Sequence, residues 1–164
     1  MGADGGRAER VFVKLAQNSE GVLLTCPSSA LTWDNAVMPL VRIDLREGKS
    51  PEYRRQIGDL VYRAMRETIN MPEHDRFQVI TDHPAEGLIY DPSYLGINRT
   101  DGIVFIQITL NAGRTLEQKK ALYSRIAELL VKESGIRPED VLINLVECAK
   151  ENWSFGNGIA SYAS

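Results

Sequence analysis

The chain has 164 residues, 43% of them hydrophobic and 25% charged, with a formal net charge of −3. That length suits one domain with a real core, and that charge leaves no basic footprint for nucleic acid or an acidic membrane surface. No apolar run approaches the roughly 20 residues that span a bilayer, and Cys26 and Cys148 have no metal-ligand spacing, so a cytoplasmic chain with reduced thiols is expected.

Residues 1–38 hold only short apolar runs, Val11-Phe12-Val13 and Val22-Leu23-Leu24, among Gly, Ser and Asn. They read as a leader outside the functional chain, which then spans 39–164. Met38-Pro39 stands at the head of the first strand, Leu40 to Leu45. A chain starting at Pro39 after loss of Met38 has a free secondary amine there. A chain that keeps the leader has an ordinary amide at the same place.

Ser50 and Pro51 mark the start of a helix running to about Asn70, as N-cap and first helical residue. A Pro-containing turn leads to a strand from Arg76 to Asp82, and a further strand follows from Gly102 to Leu110. Thr115 with Gln118 predicts a capping box for a helix from Leu116 to Ser134, and Gly135 predicts its left-handed stop. The last strand is Val141 to Glu147. Both helices are amphipathic, with Ile57, Leu60, Val61 and Ala64 on one stripe and Leu122, Ile126, Leu129 and Leu130 on the other.

The order strand, helix, strand occurs twice. Leu45-Arg46-Glu47-Gly48-Lys49-Ser50 matches Leu110-Asn111-Ala112-Gly113-Arg114-Thr115 at one constant offset, and such self-similarity governs the fold assignment. Two β-α-β units side by side give an α/β (α+β) fold, a four-stranded sheet with both helices on one face. The third and fourth strands are apolar on both sides: Val104, Ile106 and Ile108 against Ile103 and Phe105, then Val141, Ile143 and Leu145 against Leu142 and Val146. Two helices cover one face only, so the other is expected to meet a partner subunit. The alternative cover is the segment from Met1 to Val37.

Four stretches occur in this order: Pro39 to Leu45, Asp75-Arg76-Phe77-Gln78, Gly113-Arg114-Thr115 ahead of Glu117-Gln118-Lys119, and Asn152-Trp153-Ser154-Phe155-Gly156-Asn157-Gly158. Together they resemble the tautomerase superfamily, the 4-oxalocrotonate tautomerase group, in its malonate semialdehyde decarboxylase-like branch. The resemblance implies a homotrimer of β-α-β repeats with an amino-terminal proline as catalytic residue and no cofactor. It implies catalytic roles for Pro39, Asp75 and Arg114, and a pocket lined by Trp153 and Phe155. Where the decarboxylases carry an Arg-Pro-Arg turn, this chain reads Ala112-Gly113-Arg114, so one arginine is missing. Arg76 and Arg99 are candidates to replace it.

The chemistry suits these residue types. Moving a proton between an enol oxygen and the neighbouring carbon needs a base with a pKa near ambient pH. A terminal amine titrates near pH 8, and burial lowers an amine's pKa. An arginine fork holds a carboxylate. Each residue also has a plainer structural reading. Pro39 can simply begin an edge strand, Asp75 can be a turn residue, Arg114 a solvated turn cation like its counterpart Lys49, and Trp153 and Phe155 anchors between subunits. His74 and His83 lack partners at metal spacing and are expected as solvated loop residues.

Three functions follow as expectations. The leading one is a tautomerase of small 2-oxo acids, phenylpyruvate-like compounds among them. The second is decarboxylation or hydration of a three-carbon oxo acid such as malonate semialdehyde, which the missing arginine argues against. The third is a non-catalytic trimeric binding protein, if the leader is retained.

Overall fold

The computed structural model describes residues 39–162. The six main elements are β1 (Leu40–Arg46), α1 (Pro51–Ile69), β2 (Phe77–His83), β3 (Val104–Asn111), α2 (Leu116–Leu129) and β4 (Val141–Cys148). The caps act as the sequence predicts. The Ser50 hydroxyl accepts the Tyr53 amide, and Thr115 and Gln118 form the reciprocal capping box. The first helix stops at Asn70 with φ 54°. The second runs through a π-helical turn, Leu130–Ser134, and stops at Gly135 with φ 71°, a left-handed position that glycine takes without a Cβ clash.

One four-stranded sheet has the order β2-β1-β3-β4. Within each repeat the strands are parallel, and β1 meets β3 antiparallel at the centre. The repeat offset is 65 residues, from Leu45 to Leu110. It is built into the pairing: Leu40 faces Thr109, Asp44 faces Phe105, and each pair is the other's counterpart. Exchanging the two repeats therefore maps the sheet onto itself.

Alternate residues of β1 and β3 point to the helices, because side chains alternate across a strand. Val41, Ile43 and Leu45 with Ile106, Ile108 and Leu110 form the core against Ile57, Val61, Met65, Leu122, Ile126 and Leu130. The first helix lies close on β2 at Gly58, where an added Cβ would come within 2.8 Å of Gln78 Oε1 and 2.9 Å of Ile80 Cδ1.

The opposite face is open. Leu40, Phe77, Val79, Leu142 and Val146 are all exposed there, in line with the expected two-sided apolar character of the sheet. The alternative cover, residues 1–37, lies outside the described residues. His83 departs from expectation. It ends β2 instead of lying in a loop, and its Nε2 is 2.7 Å from Asp44 Oδ1. The parallel register sets Asp44 beside Thr81 and puts His83 on the same open face, within reach. Among the described residues, no helix is long and apolar enough to cross a membrane.

Candidate active site

The strand register assembles one end of the sheet. Leu40 pairs with Phe77 on β2 and with Thr109 on β3. Pro39, buried at the head of β1, thus stands where β2 begins and β3 ends. Asp75 comes two residues before Phe77, in the turn that its own amide closes onto the Pro72 carbonyl at 3.4 Å. Asn111 comes two residues after Thr109. Both are almost fully buried, 7% and 3% exposed, which for a carboxylate and an amide requires polar company.

Arg114 follows from the turn after β3. Gly113 at φ 119° reverses the chain, and the half-buried Arg114 guanidinium donates to the Asn111 carbonyl oxygen. Burial lowers the arginine's pKa while nearby Glu147 works the other way, and a guanidinium stays charged throughout. Glu147 is engaged by Lys119 at 2.7 Å. That hydrogen bond, helped by the Arg114 and Gly113 amides, holds its carboxyl below the usual range.

The carboxyl-terminal segment folds back over this end. Trp153 stacks on Phe155 with centroids 5.4 Å apart, Tyr162 meets Phe155 edge-on at 5.2 Å, and Phe77 lies 6.4 Å from Phe155. The Tyr162 hydroxyl and the Trp153 indole nitrogen are buried without a hydrogen-bond partner, although buried groups of this kind normally have one. Burial first, and the Asp75 charge second, raise the Tyr162 pKa. Its hydroxyl is therefore a protonated donor held near the Asp75 carboxylate.

Pro39, Asp75, Arg114, Trp153 and Phe155 thus gather at one end. Arg76 and Arg99 do not join them. Arg76 turns to the helix side, where it pairs with Asp59 at 2.7 Å and lies over the Tyr62 ring. Arg99 precedes β3, whose start pairs with the end of β1. It is at the far end of the sheet within the subunit and donates to the Tyr94 carbonyl at 3.0 Å. Sequence reasoning missed Asn111, Phe77 and Tyr162. Asn111 carried a signal, since it is the repeat counterpart of the cation Arg46. Among the described residues no three His, Cys, Asp or Glu side chains cluster as metal ligands.

The sheet is a duplicated β-α-β unit with a proline heading its first strand, beside a buried carboxylate, an arginine and an aromatic wall. The chain belongs to the tautomerase family, and its relatives named as tautomerases are isomerases. Two family signatures, both described as tautomerase enzyme, match it at residues 39–98 and 75–156. It is 46% identical over 123 residues to the probable tautomerase YusQ of Bacillus subtilis, covering 75% of this chain and 97% of that one. Among solved structures it resembles malonate semialdehyde decarboxylase FG41 inhibited by 3-bromopropiolate, at 40% identity and a TM-score of 0.70 over 75% of this chain and 93% of that one. A second malonate semialdehyde decarboxylase, solved in wild-type, inactivated and variant forms, matches at 29% identity and a TM-score of 0.70, covering 75% and 95%.

Proposed function

We propose that the functional chain begins at Pro39 and interconverts the enol and keto forms of small 2-oxo acids, with the Pro39 amine as base. The observation that carries this reading is the gathering of Pro39, Asp75, Arg114 and the Tyr162 hydroxyl at one aromatic-walled end. Two comparisons support it. The first family signature starts at Pro39, and the second decarboxylase was solved with the proline at its first position replaced by alanine.

In the proposed reaction Arg114 holds the substrate carboxylate. The neutral Pro39 nitrogen takes the enol hydroxyl proton as the carbon–oxygen double bond forms. The resulting prolinium returns that proton to the adjacent carbon, so the net change is an isomerisation. The Tyr162 hydroxyl stabilises negative charge on the oxygen as it develops. Asp75 orients the amine and stabilises the prolinium, and the apolar wall keeps the free amine populated. No step calls for a cofactor or a metal. The open sheet face, buried in a homotrimer, completes the assembly.

A second reading has its own observation, the 40% identity to a malonate semialdehyde decarboxylase. There the same Pro39 end would release carbon dioxide from a three-carbon oxo acid and leave the aldehyde.

The test compares chains starting at Met1 and at Pro39 in an ultraviolet enol–keto assay with phenylpyruvate, and in a coupled assay for acetaldehyde from malonate semialdehyde. The proposal expects enol–keto activity only from the chain starting at Pro39. Equal activity from both chains excludes a free amine. Acetaldehyde without enol–keto activity selects the second reading, and inactivity of both chains selects a binding protein. Mass spectrometry of the protein made from its own gene shows which start is used.

A further inference from the structure

The repeat extends beyond the strands. The first 3-10 turn after β2, Ala85–Gly87, and the one after β4, Lys150–Asn152, are also 65 residues apart. Continuing at that offset, Tyr90 is the counterpart of Phe155, Lys49 of Arg114, Arg46 of Asn111 and Asp140 of Asp75. The exchange of repeats therefore carries the Pro39 end of the sheet onto a second location, where β1 ends and β3 begins. An open cleft of about 460 Å³ lies there, lined by Arg46, Lys49, Asp101 and Gly102 among others.

Lys49 keeps the cation that Arg114 supplies at the Pro39 end, Arg46 adds a second cation where that end has the neutral Asn111, and the base is lost. Pro39 is matched by Val104, inside the chain. Asp140 is engaged in structure, accepting the Thr100 amide and hydroxyl, each at 2.6 Å. The aromatic neighbour is retained, with the Arg46 guanidinium 5.6 Å from the Tyr90 ring centroid. Lys49 lies over Tyr53 at 5.3 Å and forms no ion pair among the described residues.

One carboxylate already sits in the cleft. Asp101 Oδ1 is 3.1 Å from Arg46 Nη1 and accepts the Tyr90 hydroxyl at 2.8 Å. The Asp101 side chain is 72% exposed, so it is a surface group held by these two partners and not by packing. We propose that the cleft is a second, non-catalytic recognition site for small carboxylates, kept occupied by the protein's own Asp101. The ligand class rests on reading the Pro39 end as a carboxylate site, because the cleft is its repeat-related copy. A charge-assisted pair between a guanidinium and a carboxylate is the interaction a free carboxylate would have to displace.

The test follows backbone amide resonances of the full chain during titration with pyruvate. Gly48 and Gly102 report on the cleft, and Gly113 on the Pro39 end. In Asp101→Ala, Gly48 and Gly102 are expected to shift saturably at a pyruvate concentration at least tenfold lower than in the unaltered protein. Adding Arg46→Gln should abolish that response, and Asp101→Asn, which keeps the side chain's shape, should give a smaller gain. The proposal fails if Asp101→Ala and Asp101→Asn bind no more tightly at Gly48 and Gly102 than the unaltered protein, or if Arg46→Gln leaves the gain intact. Gly113 separates the two readings. Its silence while Gly48 and Gly102 respond removes the carboxylate site at the Pro39 end and leaves the cleft standing; the reverse pattern does the opposite.

Discussion

Arg42 on β1 lies directly opposite Gln107 on β3, and each is the other's counterpart in the repeat. The approximate two-fold axis of the chain passes between them. The two ends of the sheet are thereby the same place built twice, and their chemical differences come from substitution and not from fold. Pro39 against Val104 and Arg114 against Lys49 are the differences that matter, because one end can hold a terminal amine and the other cannot.

Arg114 is the group whose loss should most cleanly separate binding from folding. Its backbone lies in a glycine turn, and the cap of α2 depends on Thr115 and Gln118, not on the guanidinium. Arg114→Ala should therefore leave the melting temperature nearly unchanged. A hydrogen-bonded charge is worth about 1.5–3 kcal/mol, so kcat/KM toward a 2-oxo acid should fall about 10- to 100-fold, mainly through KM. Steady-state kinetics with phenylpyruvate on the chain starting at Pro39 measures this. An unchanged KM would return Arg114 to the role of a turn cation.

Asp75 and Asp140 are counterparts, both buried, yet they should behave in opposite ways. Asp140 ties the segment before β3 to the head of β4 through Thr100. Asp140→Ala removes the acceptor from the Thr100 amide and hydroxyl, at about 0.5–1.5 kcal/mol for each lost hydrogen bond. Urea unfolding should show that loss, while Asp75→Asn, nearly the same in shape, should lower kcat with a much smaller change in midpoint. Equal destabilisation by the two substitutions would mark Asp75 as a structural residue.

The fold was legible because its signals are local and doubled. Ser50, Thr115, Gly135 and the apolar stripes each fix one boundary, and the repeat supplies a second copy of every such argument. The site was legible in part. Pro39, Asp75 and Arg114 carried motif context, and the parallel register brings Asp75 beside Pro39 whatever the loops do. Tyr162 was missed because nothing periodic links it to the sheet; only the return of the tail onto Phe77 places it. Arg76 and Arg99 misled because sequence records a charge but not its neighbour. Asp59 lies one helix away from Arg76, and Arg99 is separated from Pro39 by the length of β3.

Val146 tests the open face of the sheet. It is 38% exposed beside Leu142 at 39%, so Val146→Lys costs little within a single subunit. In a trimer that closes this face, three lysines enter apolar contacts, and each lost apolar side chain is worth about 1.5–3 kcal/mol before any charge penalty. Light scattering should show a trimer for the unaltered chain starting at Pro39 and a monomer for Val146→Lys, with the circular dichroism of a folded protein in both. A variant of unchanged mass would place the subunit contact elsewhere.

The Tyr162 hydroxyl offers the sharpest separation of a chemical role from a structural one. The ring is held by its edge-on contact with Phe155, which Tyr162→Phe preserves. The hydroxyl is buried without a hydrogen-bond partner, so deleting it removes a desolvated polar group and should leave the melting temperature unchanged or raised. If the hydroxyl donates to the substrate oxygen, kcat/KM should nevertheless fall about 100- to 1,000-fold, the usual scale for a lost oxyanion donor being about 2.7–4 kcal/mol. The sign of its pKa shift adds a pH criterion. Burial and the Asp75 charge raise the phenol above its ordinary value of 10.0, so the neutral donor persists to higher pH than in a free tyrosine. Any loss of activity below that pH then belongs to another group, and the kcat/KM profiles of the unaltered protein and Tyr162→Phe should be parallel from pH 6 to about pH 9.5. Activity unchanged in Tyr162→Phe would assign the tail to packing alone.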